Sequence, residues 1–302
     1  MRTSTVHLEK ALAEFNSKVD DLSRKDASIE LLDALINRGA VLSMLDYITS
    51  AKEDFDDVIL LIKVLEKEGV EIDPGYYVRA YAARAGLYGE GEEEKALEDY
   101  RSAAQHLAGL HPGSKYYDKK TIADLCSIAT QSIGDLEQLS EARPFIDKGL
   151  EVTAGEDTQF FRNIRLGLLN YSGYAALLDK DYKTASDTFA TSCTLAADLY
   201  SNSELDDPED LVFAFASKAD ADKELYGADR YLAEMENTLE LIDEMTGDGV
   251  SIDEEIITTL HGEIAKEYME KGDIAVAEKH LMRKMSMELV GSAQYMKENG
   301  PQ

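Results

Sequence analysis

Five prolines, two cysteines and no tryptophan occur in a chain of 302 residues. Pro74, Pro112 and Pro208 fall in breaks between longer apolar-patterned stretches, so they punctuate helices rather than interrupt them. Cys126 and Cys193 cannot form a zinc site alone, and a disulfide between them would be at odds with a reducing compartment. Both sit among apolar and small residues at helical spacing, as small buried hydrophobes do. No apolar run approaches the length that crosses a bilayer. Met1-Arg2-Thr3-Ser4-Thr5 leads straight into a polar amphipathic stretch, without a signal-peptide core. These features lead to the expectation of a cytoplasmic protein. Segments that alternate apolar and polar residues over a strand's length are nearly absent.

Basic residues are scarce: 31 against 60 acidic ones, a net charge of -29. Such a surface repels phosphate backbones and anionic lipid, which argues against nucleic-acid and membrane partners. Solubility of an extended surface, a saline setting and a basic partner would each account for the charge. Lysine outnumbers arginine, which weighs against the saline setting.

Signatures of chemistry are also missing. His7, His106, His111, His261 and His280 are scattered without metal-ligand spacing, and there is no HExxH. Gly89-Glu90-Gly91 continues into three glutamates that would repel a pyrophosphate. Asp248-Gly249 sits in a stretch faintly like a calcium loop, but Thr246 is a poor ligand there. The expectation is no catalytic residue, no metal, no cofactor and no enzyme activity.

What the chain does have is a degenerate repeat of 43 to 47 residues. Indexed on the residue that opens the second helix of each pair, it runs Ala51, Ala96, Ala142, Ala185, Leu232 and Ala277. Four positions on stand Phe55, Tyr100, Ile146, Phe189 and Leu281, with Glu236 the exception. Three further on come Val58, Ala103, Gly149, Ser192 and Leu239. Steps of four and three keep these side chains on one helical stripe. The small first residue lets a neighbouring helix come close, and the larger second one fills the gap. Turns such as Leu178-Asp179-Lys180-Asp181 and Lys271-Gly272-Asp273 join the members of each pair. The pattern predicts about thirteen helices, at residues 3–23, 28–45, 47–68, 75–89, 92–109, 115–134, 140–153, 157–179, 182–200, 208–226, 229–245, 251–271 and 274–298.

Asn37-Arg38-Gly39, Tyr47, Ala51 and Phe55 in one copy resemble the tetratricopeptide repeat (TPR) family. Gly173, Tyr182, Ala185 and Phe189 carry the resemblance in a second copy, and Tyr268, Gly272-Asp273, Ala277 and Leu281 in a third. The usual unit has about 34 residues; units near 45 resemble the extended-repeat type, with longer helices. The resemblance implies an all-α fold, an α-solenoid of stacked antiparallel helix pairs in a right-handed superhelix. Residues 1–27 would form a capping helix, 28–273 the repeats, and 274–302 a Met-rich cap and tail, in one continuous solenoid. Ala40 and Tyr174, where the family's carboxylate-clamp subtype carries Asn, set this chain apart from that subtype.

First helices line the concave face in this family. Only eleven arginines occur, yet Arg38, Arg79, Arg84, Arg162 and Arg165 fall on first helices. With Asn170, Tyr171 and Tyr174 they make a candidate binding surface, a groove less acidic than the exterior whose Arg forks hold a carboxylate-bearing protein or peptide. The alternative for the arginines is pairing with the abundant Asp and Glu of neighbouring helices. The functional expectation is a non-enzymatic adaptor or scaffold. A second expectation is a structural or oligomerising subunit acting through the C-terminal helix, where Met282, Met285, Met287 and Met296 cluster.

Overall fold

The computed structural model describes residues 2–135 and 138–299, with side chains described from 5 to 134 and from 138 to 289. Among the described residues it contains thirteen α-helices, one 3-10 turn and no strand. The chain divides into two compact units, Met1–Gly155 and Glu156–Gln302.

The first unit holds α1 (Arg2–Leu22), α2 (Ile29–Met44), α3 (Ile48–Lys67), α4 (Pro74–Ala85), α5 (Glu93–Leu107), α6 (Lys119–Asp135) and α7 (Arg143–Thr153), with the 3-10 turn Leu139–Ala142 leading into α7. Helices α2/α3, α4/α5 and α6/α7 pack as pairs; α1 lies against α2, and α2 also meets α4. The second unit holds α8 (Gln159–Leu178), α9 (Tyr182–Ser201), α10 (Pro208–Tyr226), α11 (Ala228–Gly247), α12 (Glu254–Lys271) and α13 (Ile274–Asn299). Here α8/α9, α10/α11 and α12/α13 are the pairs, with α9 packed on α10 and α8 beside it.

Local chemistry sets the boundaries. Asp73 and Asp207 cap α4 and α10 by accepting from Gly75 N and Glu209 N, each just before a proline in the first turn. The pair turns need a left-handed residue: Asp46 (φ 64°) between α2 and α3, Lys180 (φ 61°) between α8 and α9, and Gly272 (φ 85°) between α12 and α13. The patterning places α6 from 115, but it begins at Lys119. Tyr116 instead takes a left-handed conformation (φ 60°) and its hydroxyl donates to Asp33 at 2.7 Å.

The second-helix stripe forms the core. Ala51, Phe55 and Val58 are buried, as are Ala142 and Ile146, and Ala185, Phe189 and Ser192. Burial of one such phenylalanine contributes about 1.5–3 kcal/mol. The first helices answer with small residues. A Cβ at Gly39 would meet Phe55 at 3.0 Å, and one at Gly173 would meet the Phe189 ring at 2.8 Å, so each ring sits against bare backbone. In α11 the indexed Leu232 and Leu239 are buried, together with the residues just before them. Tyr231, Met235 and Thr238 are buried, while Glu236 is half-exposed and accepts from the Tyr268 hydroxyl at 3.3 Å. Glu236 is thus no gap in the core, because Met235 fills it.

On α13, Ala277 is buried, but Met282, Met285 and Leu289 are exposed. The Met296 side chain lies outside the described residues. Cys126 and Cys193 are free and buried, and burial pushes both thiols up to about 12.

Candidate functional site

Each unit carries a groove bordered by first helices, and in the first unit also by the segment 113–118 that precedes α6. In the first unit α2, α4 and α6 border two adjoining hollows of about 300 and about 770 Å³ that share Arg79 and Thr121. In the second unit α8, α10 and α12 border a groove of about 890 Å³.

The five arginines have different surroundings. Arg38 reaches from α2 to α3, where Nε donates to Asp54 Oδ2 at 2.8 Å and Nη2 to Oδ1 at 2.6 Å. Arg84 repeats this from α4 to α5, with Nε and Nη2 on the two Asp99 oxygens, each at 2.6 Å, and a further bond to Asp56. Asp54 and Asp99 are each only 3% exposed. These forks therefore tie the two helices of a pair together, and the bonds to aspartate raise both guanidinium pKa values. Arg162 bonds Asp198 and, at 2.7 Å, Glu204. Arg165 donates to the Glu156 carbonyl at 2.6 Å. Neither of the last two lines the second groove.

Arg79 is different. It borders both hollows of the first groove, and no carboxylate among the described residues forms an ion pair with it. Burial disfavours its charged form, offset only in part by Tyr116 and Asp124. Nearby, Asp33 accepts from the hydroxyls of Tyr116 at 2.7 Å and Tyr76 at 3.0 Å and from Lys115 at 3.1 Å. Burial would raise its pKa, but these bonds together outweigh it and the carboxyl sits below its usual value.

Asn170 is buried, accepts from Ser192 on α9, and donates to the carbonyl and side chain of Asp210 on α10, both at 3.2 Å. It holds three helices in register. Tyr171 and Tyr174 do line the second groove, and Tyr174 meets Phe213 edge-on with ring centroids 6.2 Å apart.

The patterning missed the acids of this groove. Asp207, Glu209 and Asp210 open α10, Asp253 and Glu255 open α12, and Glu263 lies further along α12. Among the described residues no lysine, arginine or histidine lines it. The groove is thus acidic where a less acidic one was expected. The signal was available as two acidic helix starts, Asp207-Pro208-Glu209-Asp210 and Asp253-Glu254-Glu255, one repeat apart. Burial, with Asp207 and Glu209 alongside, pushes the Asp210 carboxyl up to about 6 despite the Asn170 bond. Burial also raises that of Glu263.

Two of the scattered histidines come together. His261 Nδ1 and His280 Nδ1 are 2.9 Å apart, and His280 Nε2 lies 3.1 Å from Glu236. Among the described residues no group of three or more His, Cys, Asp or Glu is arranged to hold a metal ion. No described helix is long and apolar enough to cross a membrane.

Stacked helix pairs with small-to-aromatic locks, and grooves faced by first helices, define a TPR-like helical-repeat fold. Among solved structures the chain is similar to aspartyl phosphate phosphatase F from Bacillus subtilis, with a TM-score of 0.56 and 13% identity over 98% of this chain and 73% of that one. Lower similarity, at a TM-score of 0.37 in each case, links it to a tetratricopeptide repeat protein from Parabacteroides merdae and to the quorum sensor NprR from B. thuringiensis. The former is 17% identical over 94% of this chain and 93% of that one, the latter 14% over 94% and 84%. No protein-family model matches the sequence, and it matches no curated protein.

Proposed function

We propose that the chain is a non-enzymatic adaptor that binds a protein or peptide segment along its first-helix grooves. The observation that carries this reading is the open groove of the second unit, where Tyr174 and Phe213 stay 42% and 41% exposed beside the apolar Val212 and Leu260. Folding alone gives two neighbouring aromatic rings no reason to remain uncovered, whereas a ligand that covers them gains apolar burial at a preformed surface. A carboxylate-bearing ligand has its best anchor in the first unit, at the desolvated Arg79. Arg38, Arg84 and Arg162 are engaged with carboxylates of their own unit.

Selection of a random peptide display library against the full chain tests the reading. Enriched peptides should lose binding to Tyr174→Ala/Phe213→Ala and keep it with Leu60→Ala, an exposed residue on α3. No enriched sequence, or binding indifferent to both aromatic rings, would overturn it.

A second reading rests on α13, where exposed Met282, Met285 and Leu289 recur at steps of three and four and so share one face. That face would pair with a second copy of the chain. Light scattering should then report a mass that falls to a single chain on Met282→Glu/Met285→Glu.

A further inference from the structure

We infer that the groove of the second unit takes a basic peptide segment, with lysine or arginine side chains against its carboxylate walls and a large apolar side chain against Tyr174 and Phe213. This rests on the peptide-binding reading above and specifies the ligand's chemistry at one of the grooves.

Size comes first. A groove of about 890 Å³ is far larger than an ion needs and matches several side chains. Charge comes next. Six of its lining residues are carboxylates and none is basic. This is not simply the average of an acidic chain, because the second unit does hold cations and pairs them elsewhere. Lys218 bonds Asp222 and Glu234, each at 2.6 Å, Lys223 bonds Glu267, and Lys183 bonds Asp187 at 2.7 Å. Asp210 accepts from the Asn170 side chain, and the other bonds of the groove's acids come from backbone amides. Asp253 accepts from Glu255 N at 2.8 Å, and Glu209 accepts from Asp253 N at 3.2 Å.

Those capping bonds explain Asp207 and Asp253. They do not explain Glu255 and Glu263, which line the groove; Lys223 and Lys266 act on Glu263 from outside the lining without overcoming its burial. The raised Asp210 and Glu263 carboxyls mark a site where added positive charge is favourable. A ligand lysine or arginine supplies that charge, and its stem or guanidinium also stacks on an exposed tyrosine. Nucleic acid and anionic lipid bring charge of the wrong sign.

Fluorescence anisotropy with the full chain tests this, using three labelled peptides of equal length and identical Leu and Phe content. One carries Lys and Arg, one Glu, and one Ser and Gln at the remaining positions. The basic peptide should bind at least tenfold tighter than the neutral one and weaken about tenfold between 50 and 500 mM salt, as a partly screened charge contact does. Glu255→Gln/Glu263→Gln should weaken it about fivefold or more without lowering the melting temperature. The charge-matched Glu9→Gln/Glu68→Gln, on exposed sites of the first unit, should leave affinity unchanged. Equal or tighter binding of the neutral or acidic peptide, or equal loss in both double variants, overturns the inference while the peptide-binding reading stands. If no peptide binds above the level seen with Phe213→Ala, both fail together.

Discussion

Two sets of carboxylates, one bonded between helices of the first unit and one lining the groove of the second, are held in opposite ways. In the first unit Asp33, Asp54 and Asp99 each face a cation or several donors. In the groove of the second unit Asp210 is buried beside Asp207 and Glu209, and the burial of Glu263 outweighs the pull of Lys223 and Lys266. A buried carboxylate whose bonds outweigh desolvation stabilises the fold, whereas one pressed against like charge costs stability. Acids of the first kind serve architecture. Those of the second kind persist against a stability cost, which is the mark of a surface shaped for something else.

The largest effect should come from the paired side of this contrast. Arg38→Met leaves Asp54 buried without its fork and should cost about 3–5 kcal/mol in denaturant unfolding. Adding Asp54→Leu should recover most of the loss, because no orphaned charge remains. A cost below about 1 kcal/mol for Arg38→Met alone would remove the claim that these forks are architectural.

The helix locks test what the units share. Gly173→Ala should destabilise by about 1–3 kcal/mol through overpacking against the rigid Phe189 ring. Gly39→Ala should cost less, since the space at Phe55 is a few tenths of an ångström wider. Reversal of that order would show that relaxation of the helix pair, rather than starting clearance, governs the cost.

The smallest effects sharpen the contrast by their sign with pH. Asp33 has a depressed pKa, so its contribution is present above the unfolded carboxylate value and lost as pH falls through the folded one. Asp33→Asn should therefore destabilise by about 1–2 kcal/mol at neutral pH and matter little in acid. Asp210 behaves oppositely. Its folded pKa near 6 lies above the unfolded value, so the folded state holds its proton longer and stability falls as pH rises from about 4 to about 6. Asp210→Asn keeps an acceptor for Asn170 and should raise the melting temperature by roughly 2–4 °C at neutral pH, about 1 kcal/mol. The gain should vanish near pH 4. Equal signs for the two variants at neutral pH would erase the distinction between the two sets of carboxylates.

Much of this architecture was legible before any coordinates. Ala51, Phe55 and Val58, and Ala185, Phe189 and Ser192, carry helical periodicity in the chain itself, and Asp73-Pro74 and Asp207-Pro208 announce helix starts. Local signals failed where a distant residue decided the outcome. Tyr116 leaves the helical pattern for a bond to Asp33, 83 positions away. Met235 fills the core position that Glu236 leaves at its edge, which spacing from Leu232 alone does not record. The arginines were found as a group but not sorted. Arg38 and Arg84 turn toward acids on the next helix, Arg79 borders the groove, and only packing separates them. The acidic groove was hidden for another reason: its carboxylates come from two helix starts and stand among 60 similar residues.

Cys126 and Cys193 offer a last consequence. One falls in each unit, and both are shielded from solvent. Reaction with a thiol reagent requires the surrounding helices to part, so the chain carries a native clock for the breathing of each half. Timed alkylation with mass-spectrometric readout would assign an opening rate to either half without altering a single residue.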